Sequence, residues 1–407
     1  MTQCRVCETE IQSFMTFGQQ PIANGFLKEE EFSDEYFFEM EVAFCESCGT
    51  FQLVNQPDAE KMFHENYAFF SSLSKHMQIH FKSFADMVID RVMKDRNDPF
   101  IVELGSNDGI MLKNYKEAGY RHLGIEPSSN VADVAREKGI NTISEFFSLE
   151  LAEKLVEEYG HADALVCANV MCHIPDINGV AAGIAKLLTN DGVLMFEDPY
   201  LGDVVEKTSY DQIYDEHVYV FSATSVSAIF GRHGLELIDV MPQPTHGGSM
   251  RYMLAPKGSH PISENVPALL TKEKELGLDK HKTFEQFKLN CEKSKADLVA
   301  LLEKLKDDGK RVVGYAATSK STTVMNYCGI GPDLIEFISD TTPIKQGKFS
   351  PGAHIPIKAY EEFSANPPEY ALLLAWNHAK EIFENEQEFV KNGGQWIGFV
   401  PSVGVMK

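Results

Sequence analysis

The order of apolar runs and glycine turns predicts an α/β fold: a doubly wound sheet in mid-chain, a small cysteine-bound domain before it and a second α/β unit after it. Three observations carry this. Two C-x2-C pairs lie within the first 48 residues. From Pro99 a strand, a glycine turn and a helix follow one another, and the alternation continues to Glu197. From Arg311 another strand enters a small-residue loop that opens a helix. We place the boundaries at residues 1–65, 66–258 and 259–407, in keeping with the roughly two to four domains expected of 407 residues.

Composition narrows the class. With 43% hydrophobic and 24% charged residues the chain can bury real cores. The 37 basic residues against 60 acidic ones give a formal charge of −23, which repels a phosphate backbone at long range and argues against nucleic acid as a partner. A small anion is still admissible where helix-start amides and a few cations outweigh that field locally. No basic flank precedes an apolar stretch at the N-terminus, and no apolar run reaches the ~20 residues a membrane helix needs. A cytoplasmic protein with no membrane partner is expected, as a monomer or weak homo-oligomer.

Cys4 and Cys7 form one knuckle, Cys45 and Cys48 the other. Four thiolates can close a tetrahedron around one zinc ion, and Gly49 suits the tight turn that follows the second pair. A closed four-sulfur set leaves no position for substrate, so this zinc is structural. The competing reading is four reduced core cysteines. Cys167, Cys172, Cys291 and Cys328 sit among apolar residues and read as core.

In the middle domain, Phe100 to Leu104 is a strand and Gly105-Ser106-Asn107-Asp108-Gly109 the turn after it. The glycines let backbone pass close to a ligand, while Glu103 and Asp108 supply carboxylates for a cationic amino-acid portion. The next strand ends at Glu126, 21 positions after Gly105, where an acidic side chain holds ribose hydroxyls. A nicotinamide-binding domain competes on this pattern alone. The loop is not G-x-G-x-x-G, however, and it resembles the acidic first motif of class I methyltransferases, which implies S-adenosylmethionine.

Between the fifth strand and the next helix, Tyr210 to Ser222 is dense in groups that move protons. His217 can act as a general base, Tyr214 can donate to a developing oxyanion, and Glu216 can orient or charge-stabilise the imidazole. The alternative is that any one of them is a hydrogen-bonded structural residue. His246-Gly247-Gly248-Ser249-Met250-Arg251 offers close backbone approach and a guanidinium to a phosphorylated substrate, and His173, after the fourth strand, can reach the same cleft. Residues 264–308 read as one long helix with a solvated face, and Ser319 and Lys320 then open a helix suited to a diphosphate.

Taken together, these motifs resemble the family of S-adenosylmethionine-dependent C-methyltransferases acting on nucleotide-linked 4-keto deoxyhexoses, over nearly the full chain. The resemblance rests on the two knuckles, Glu103 to Gly109, Ala168-Asn169-Val170 through His173, Tyr214 to Tyr219, His246 to Ser249 and Gly314 to Ser319. It implies a class I methyltransferase sheet, a zinc-binding N-terminal domain and a C-terminal Rossmann-like domain that contributes to nucleotide-sugar binding. It implies Glu103, Gly105, Asn107, Asp108, Glu126 and Asn169 at the cofactor, and His173, His246, Arg251, Ser319 and Lys320 at the substrate. It implies that His217 removes a carbon-3 proton from a sugar carried on a nucleoside diphosphate, dTDP being favoured, with Tyr214, Glu216 and Tyr67 in support. Deoxysugar biosynthesis is the expected setting. Methylation of an oxygen or nitrogen on a similar substrate is the alternative activity.

Overall fold

The computed structural model describes residues 2–58 and 75–406. Tyr67 lies outside the described residues. No described helix is long and apolar enough to cross a membrane.

The N-terminal strands β1 (Thr2–Gln3) and β2 (Glu10–Ile11) pair and frame the first knuckle. Strands β3 (Ser13–Pro21), β4 (Phe37–Cys45) and β5 (Thr50–Leu53) form an antiparallel sheet whose β4–β5 turn is the second knuckle. Gly49 closes that turn at φ +69°, and a Cβ there would come within 2.8 Å of Thr224. Its role therefore combines a left-handed backbone with close contact to the next domain.

The central sheet contains β6 (Phe100–Leu104), β7 (Arg121–Ile125), β8 (Thr142–Ile143), β9 (Ala162–Ala168) and β10 (Leu188–Pro199), all parallel. Before the sheet is finished, β11 (Tyr219–Val220) departs to pair with β5 as the fourth strand of the N-terminal sheet. The chain then returns as β12 (Leu235–Gln243) and β13 (Ser249–Pro256), with β13 antiparallel to both its neighbours. The order β12-β13-β10-β9-β6-β7-β8 reverses between β6 and β9, so the carboxyl ends of these two strands bound a ligand crevice. This is the class I methyltransferase sheet. Period-two alternation covers both faces: Val102, Leu165 and Leu194 face one core, and Ile101, Val166 and Met195 face the other under the helix Lys75–Val88.

The C-terminal sheet repeats the plan with β14 (Val312–Tyr315), β15 (Ile338–Ser339), β16 (Ile357–Lys358), β17 (Tyr370–Leu373), β18 (Gln395–Gly398) and β19 (Gly404–Val405). Its order is β16-β15-β14-β17-β18-β19, again reversing beside the first strand. The loop after β14 therefore lies at a second switch point.

The long helix expected over residues 264–308 is two helices, Asn265–Glu275 and His281–Asp307. Gly277 ends the first at φ +70°, with Leu278 N–H bonding Glu273 O and Gly277 N–H bonding Lys274 O, a left-handed helix stop. Nor is the face wholly solvated. Glu273 is buried and its carboxylate accepts the N–H groups of Ala223 and Thr224, capping the helix Ala223–Gly231. The break re-aims the second helix so that Phe284 packs on Phe44, Phe14 and Phe51 at ring distances of 4.2, 5.6 and 5.8 Å.

Phe284 thus fastens a C-terminal helix to the N-terminal sheet, and it is fully buried. Phe284→Ala is expected to cost ~3–5 kcal/mol in denaturant unfolding. A loss under about 1 kcal/mol would show that this contact does not hold the two parts together.

Candidate active site

The four cysteine sulfurs lie within 4.8 Å of one another, with Cys4–Cys48 at 3.6 Å and Cys7–Cys45 at 3.5 Å. Zinc–sulfur bonds of ~2.3 Å in a tetrahedron place sulfurs about 3.8 Å apart, so four sulfurs this close can close around zinc with shifts of about 1 Å or less. Gln52 donates to Cys4 Sγ at 3.1 Å, and Thr50 Oγ1 lies 3.1 Å from Cys48 Sγ. These neighbours orient the sulfurs as outer-shell groups do in zinc sites.

At the first switch point, Gly105, Asn107 and Gly109 all have positive φ, and a Cβ on Gly105 would collide with Val170. Glu126 is buried after β7 and accepts the N–H groups of Asn107 at 2.9 Å and Ser128 at 2.8 Å. The side chain expected at the ribose thereby also shapes the loop. Asp108, buried beside it, meets Lys138 at 3.2 Å. Glu103 Oε2 is buried and has no hydrogen-bond partner among the described residues. Burial first, then the charges of Glu126 and Asp108, push the Glu103 carboxyl well above the usual range. A crowd of buried carboxylates around an open loop fits a ligand that brings positive charge, as the ammonium and sulfonium of S-adenosylmethionine do. Asn169, at φ +57° after β9, faces the same switch point, its N–H bonded to Glu197 O at 2.7 Å.

His217 is buried between the domains. Its Nδ1 lies 2.6 Å from the carbonyl of Gln212, and a carbonyl can only accept, so Nδ1 carries the proton. Nε2 is left with its lone pair, on which the Tyr214 hydroxyl sits at 2.7 Å. Burial, followed by unfavourable electrostatic coupling to His173, Lys320 and His246, keeps the imidazole well below the usual histidine range, hence neutral. The ring of His173 lies 5.3 Å away. Glu216 does not orient the imidazole by direct contact in this geometry. Its Oε1 accepts from Asn24 Nδ2 at 2.7 Å, and burial pushes its carboxyl up to about 7.

Three expected substrate contacts are brought together and one is diverted. Lys320 Nζ reaches His246 Nδ1 at 3.3 Å, and Ser319 opens the helix Ser319–Cys328, which Thr318 caps. Gly247 packs so tightly on Trp376 that no Cβ fits, which locks the β12–β13 turn to the C-terminal domain. Arg251, expected at a phosphate, is instead buried against Glu197 at 2.6 Å and lies over the Phe84 ring. A buried arginine in a carboxylate pair has no call for a second anion. Ala317 N–H, one of the amides expected for phosphate, is also taken, by Asp340 Oδ2 at 2.7 Å.

Residues that local patterns did not reveal complete the site. Ala23 N–H donates to Asp215, and Trp376 Nε1 donates to Asp211 at 2.7 Å. His80 Nε2 meets Glu197 Oε1 at 2.9 Å. The Asn24-Gly25 pair reads as a turn in sequence, but nothing there says which carboxylate it will face.

Three family models match in chain order: "Putative zinc binding domain" at residues 4–63, "Methyltransferase domain" at 75–240 and "C-methyltransferase C-terminal domain" at 244–401. The C-methyltransferase NovU of Streptomyces niveus is 34% identical over 99% of this chain and 96% of its own length. Among solved structures, the magnesium protoporphyrin IX methyltransferase of Synechocystis matches 43% of this chain and 79% of its own, at 15% identity and a TM-score of 0.33. That likeness is too slight to add to what the full-length relative shows.

Metal analysis of the purified chain is expected to find about one zinc, retained on dialysis and lost on Cys45→Ser together with a fall in melting temperature. Full zinc content in Cys45→Ser would remove the four-cysteine site.

Proposed function

We propose, since the chain belongs to the family of S-adenosylmethionine-dependent C-methyltransferases that includes NovU, that it methylates carbon 3 of a nucleotide-linked 4-keto deoxysugar through a base-generated enolate. The observation that carries this reading is His217 with Nδ1–H fixed on Gln212 O and Nε2 turned to the Tyr214 hydroxyl. A carbon next to a ketone is acidic enough for a neutral imidazole in a dry pocket to deprotonate. His217 Nε2 takes the carbon-3 proton. Tyr214, displaced from Nε2 by the substrate, offers its O–H to the oxygen on which negative charge grows. S-adenosylmethionine supplies an electrophilic methyl for the carbanion.

The rest of the chain positions the reactants. Glu103, Asp108, Glu126 and Asn169 serve the cofactor loop, and His173 borders the base. Lys320, buried at the start of a helix with its ammonium lowered to about 8 by burial, remains mostly charged at neutral pH. With the Ser319 hydroxyl and the positive end of the helix dipole it suits the diphosphate of the nucleotide. His246 holds Lys320 in that place. Arg251 has a positioning role, fixing Glu197 at the base of the β12–β13 turn.

Two outcomes test the reading. With a dTDP-4-keto-deoxyhexose in deuterated water and no methyl donor, wild-type protein is expected to wash deuterium into carbon 3. His217→Ala should lose that exchange and about 10²–10⁴-fold in turnover while still binding S-adenosylmethionine. Exchange that survives in His217→Ala assigns the base elsewhere, and no exchange in the wild type sinks the enolate route.

Glu103→Gln should weaken S-adenosylmethionine by about 10–100-fold in calorimetry, the worth of a charged hydrogen bond. Because the Glu103 carboxyl is held above its usual range, a bound cation favours its ionised form. Binding then releases a proton, and affinity falls as pH is lowered. Affinity independent of pH and of Glu103→Gln would place the ammonium elsewhere.

A further inference from the structure

We infer that Cys172, His173 and His217 make a second metal site, which takes a soft divalent ion such as Zn2+ and in doing so occupies the lone pair of His217. One ligand atom from each residue lies within 4.8 Å of the other two. The imidazole ring centroids are 5.3 Å apart, with their planes tilted by 32°. Cys172 is fully buried and His217 nearly so, while His173 is half-buried.

The chemistry of the set favours a borderline-soft ion, since one thiolate and two imidazoles are zinc donors. Metal bonds of ~2.3 Å to sulfur and ~2.0–2.1 Å to nitrogen put the donors about 3.5 Å apart, so they must close by about 1.3 Å at most. Cys172 and His173 share the short turn Met171–His173, and side-chain torsions there can supply that closure.

The hydrogen bond from His217 Nδ1 to Gln212 O adds a separate argument. Metal-bound histidines commonly donate their other ring N–H to a carbonyl, which fixes the tautomer and aims the lone pair. His217 already has that arrangement at 2.6 Å. The ion would replace the Tyr214 hydroxyl at Nε2, the Cys172 thiol, which hydrogen-bonds the buried Asp198 carboxylate, would pass its proton to that carboxylate, and a fourth position would stay open.

This site differs from the four-cysteine cluster in donor set and in consequence. The four sulfurs close a shell, whereas this set consumes the group read as the catalytic base. The inhibitory part of the proposal rests on that reading of His217, and the metal site itself does not.

The test adds Co2+ to the zinc-containing wild-type protein, with Cys172→Ser and His173→Gln in parallel. A thiolate-to-cobalt absorption band saturating near one ion per chain is expected in the wild type. It should be lost in both variants, with zinc in the four-cysteine cluster unchanged. Turnover should fall at least tenfold as the wild-type band fills and recover on adding chelator. Absence of the band in the wild type, or its persistence in both variants, overturns the site. A full band with turnover intact overturns the inhibition and counts against His217 as the base. Failure of the sugar reading would look different: no turnover on any 4-keto nucleotide sugar, with the cobalt spectrum unaffected.

Discussion

The loop from Ile213 to Val218 is the piece on which the active site depends, and it is held from outside its own domain. Asp215 accepts Ala23 N–H, Glu216 accepts from Asn24, and Leu53 N–H bonds Val218 O, all from the N-terminal part of the chain. From the opposite side Thr323 Oγ1 donates to Ile213 O, and Thr322 Oγ1 donates to Ala23 O, which joins the two grips. A loop without regular structure has many conformations to lose, and external hydrogen bonds of this kind select one. The position of His217 is therefore set from three parts of the chain. The zinc knuckles connect to His217 through this route: the second knuckle joins β4 to β5, β5 pairs with β11, and β11 begins two residues after His217.

Buried charge differs between the two ends of the crevice. Three buried carboxylates, Glu103, Asp108 and Glu126, face the first switch point, where a cationic cofactor belongs. Toward the C-terminal domain the groups are neutral imidazoles and a buried lysine. Between them Glu197 is the pivot. Burial alone would raise its carboxyl, but His80, Arg251 and Thr245 outweigh burial and hold it down to about 2. A fixed negative charge with matched donors keeps β10 and the β12–β13 turn in register.

What was legible in the sequence was whatever depends on neighbours along the chain. The C-x2-C spacing and Gly49 set each knuckle locally, and the fold then brings the two together at Cys4–Cys48 and Cys7–Cys45. The Gly105–Gly109 turn and Glu126 follow from strand ends and positive-φ positions, and the helix at Ser319 follows from the Thr318 cap. Arg251 read wrongly as open to a phosphate because its partner Glu197 is 54 residues away on an adjacent strand. The stop at Gly277 was written locally but was outweighed by the charged, leucine-rich pattern on either side of it.

The sequence by itself determined the three-part order, the four-cysteine cluster, the glycine turn after the first strand of the central sheet and the run of polar residues around His217. The tertiary structure decided that Asn24 would face Glu216, that β11 would leave the central sheet for the N-terminal one, and that Lys320 would meet His246. The physical reason is range. Turn chemistry, capping and period-two burial act over a few residues, whereas pairing a buried charge or closing a sheet draws on groups separated by tens to hundreds of residues. Those pairings are fixed when cores such as that around Phe284 bring the surfaces together.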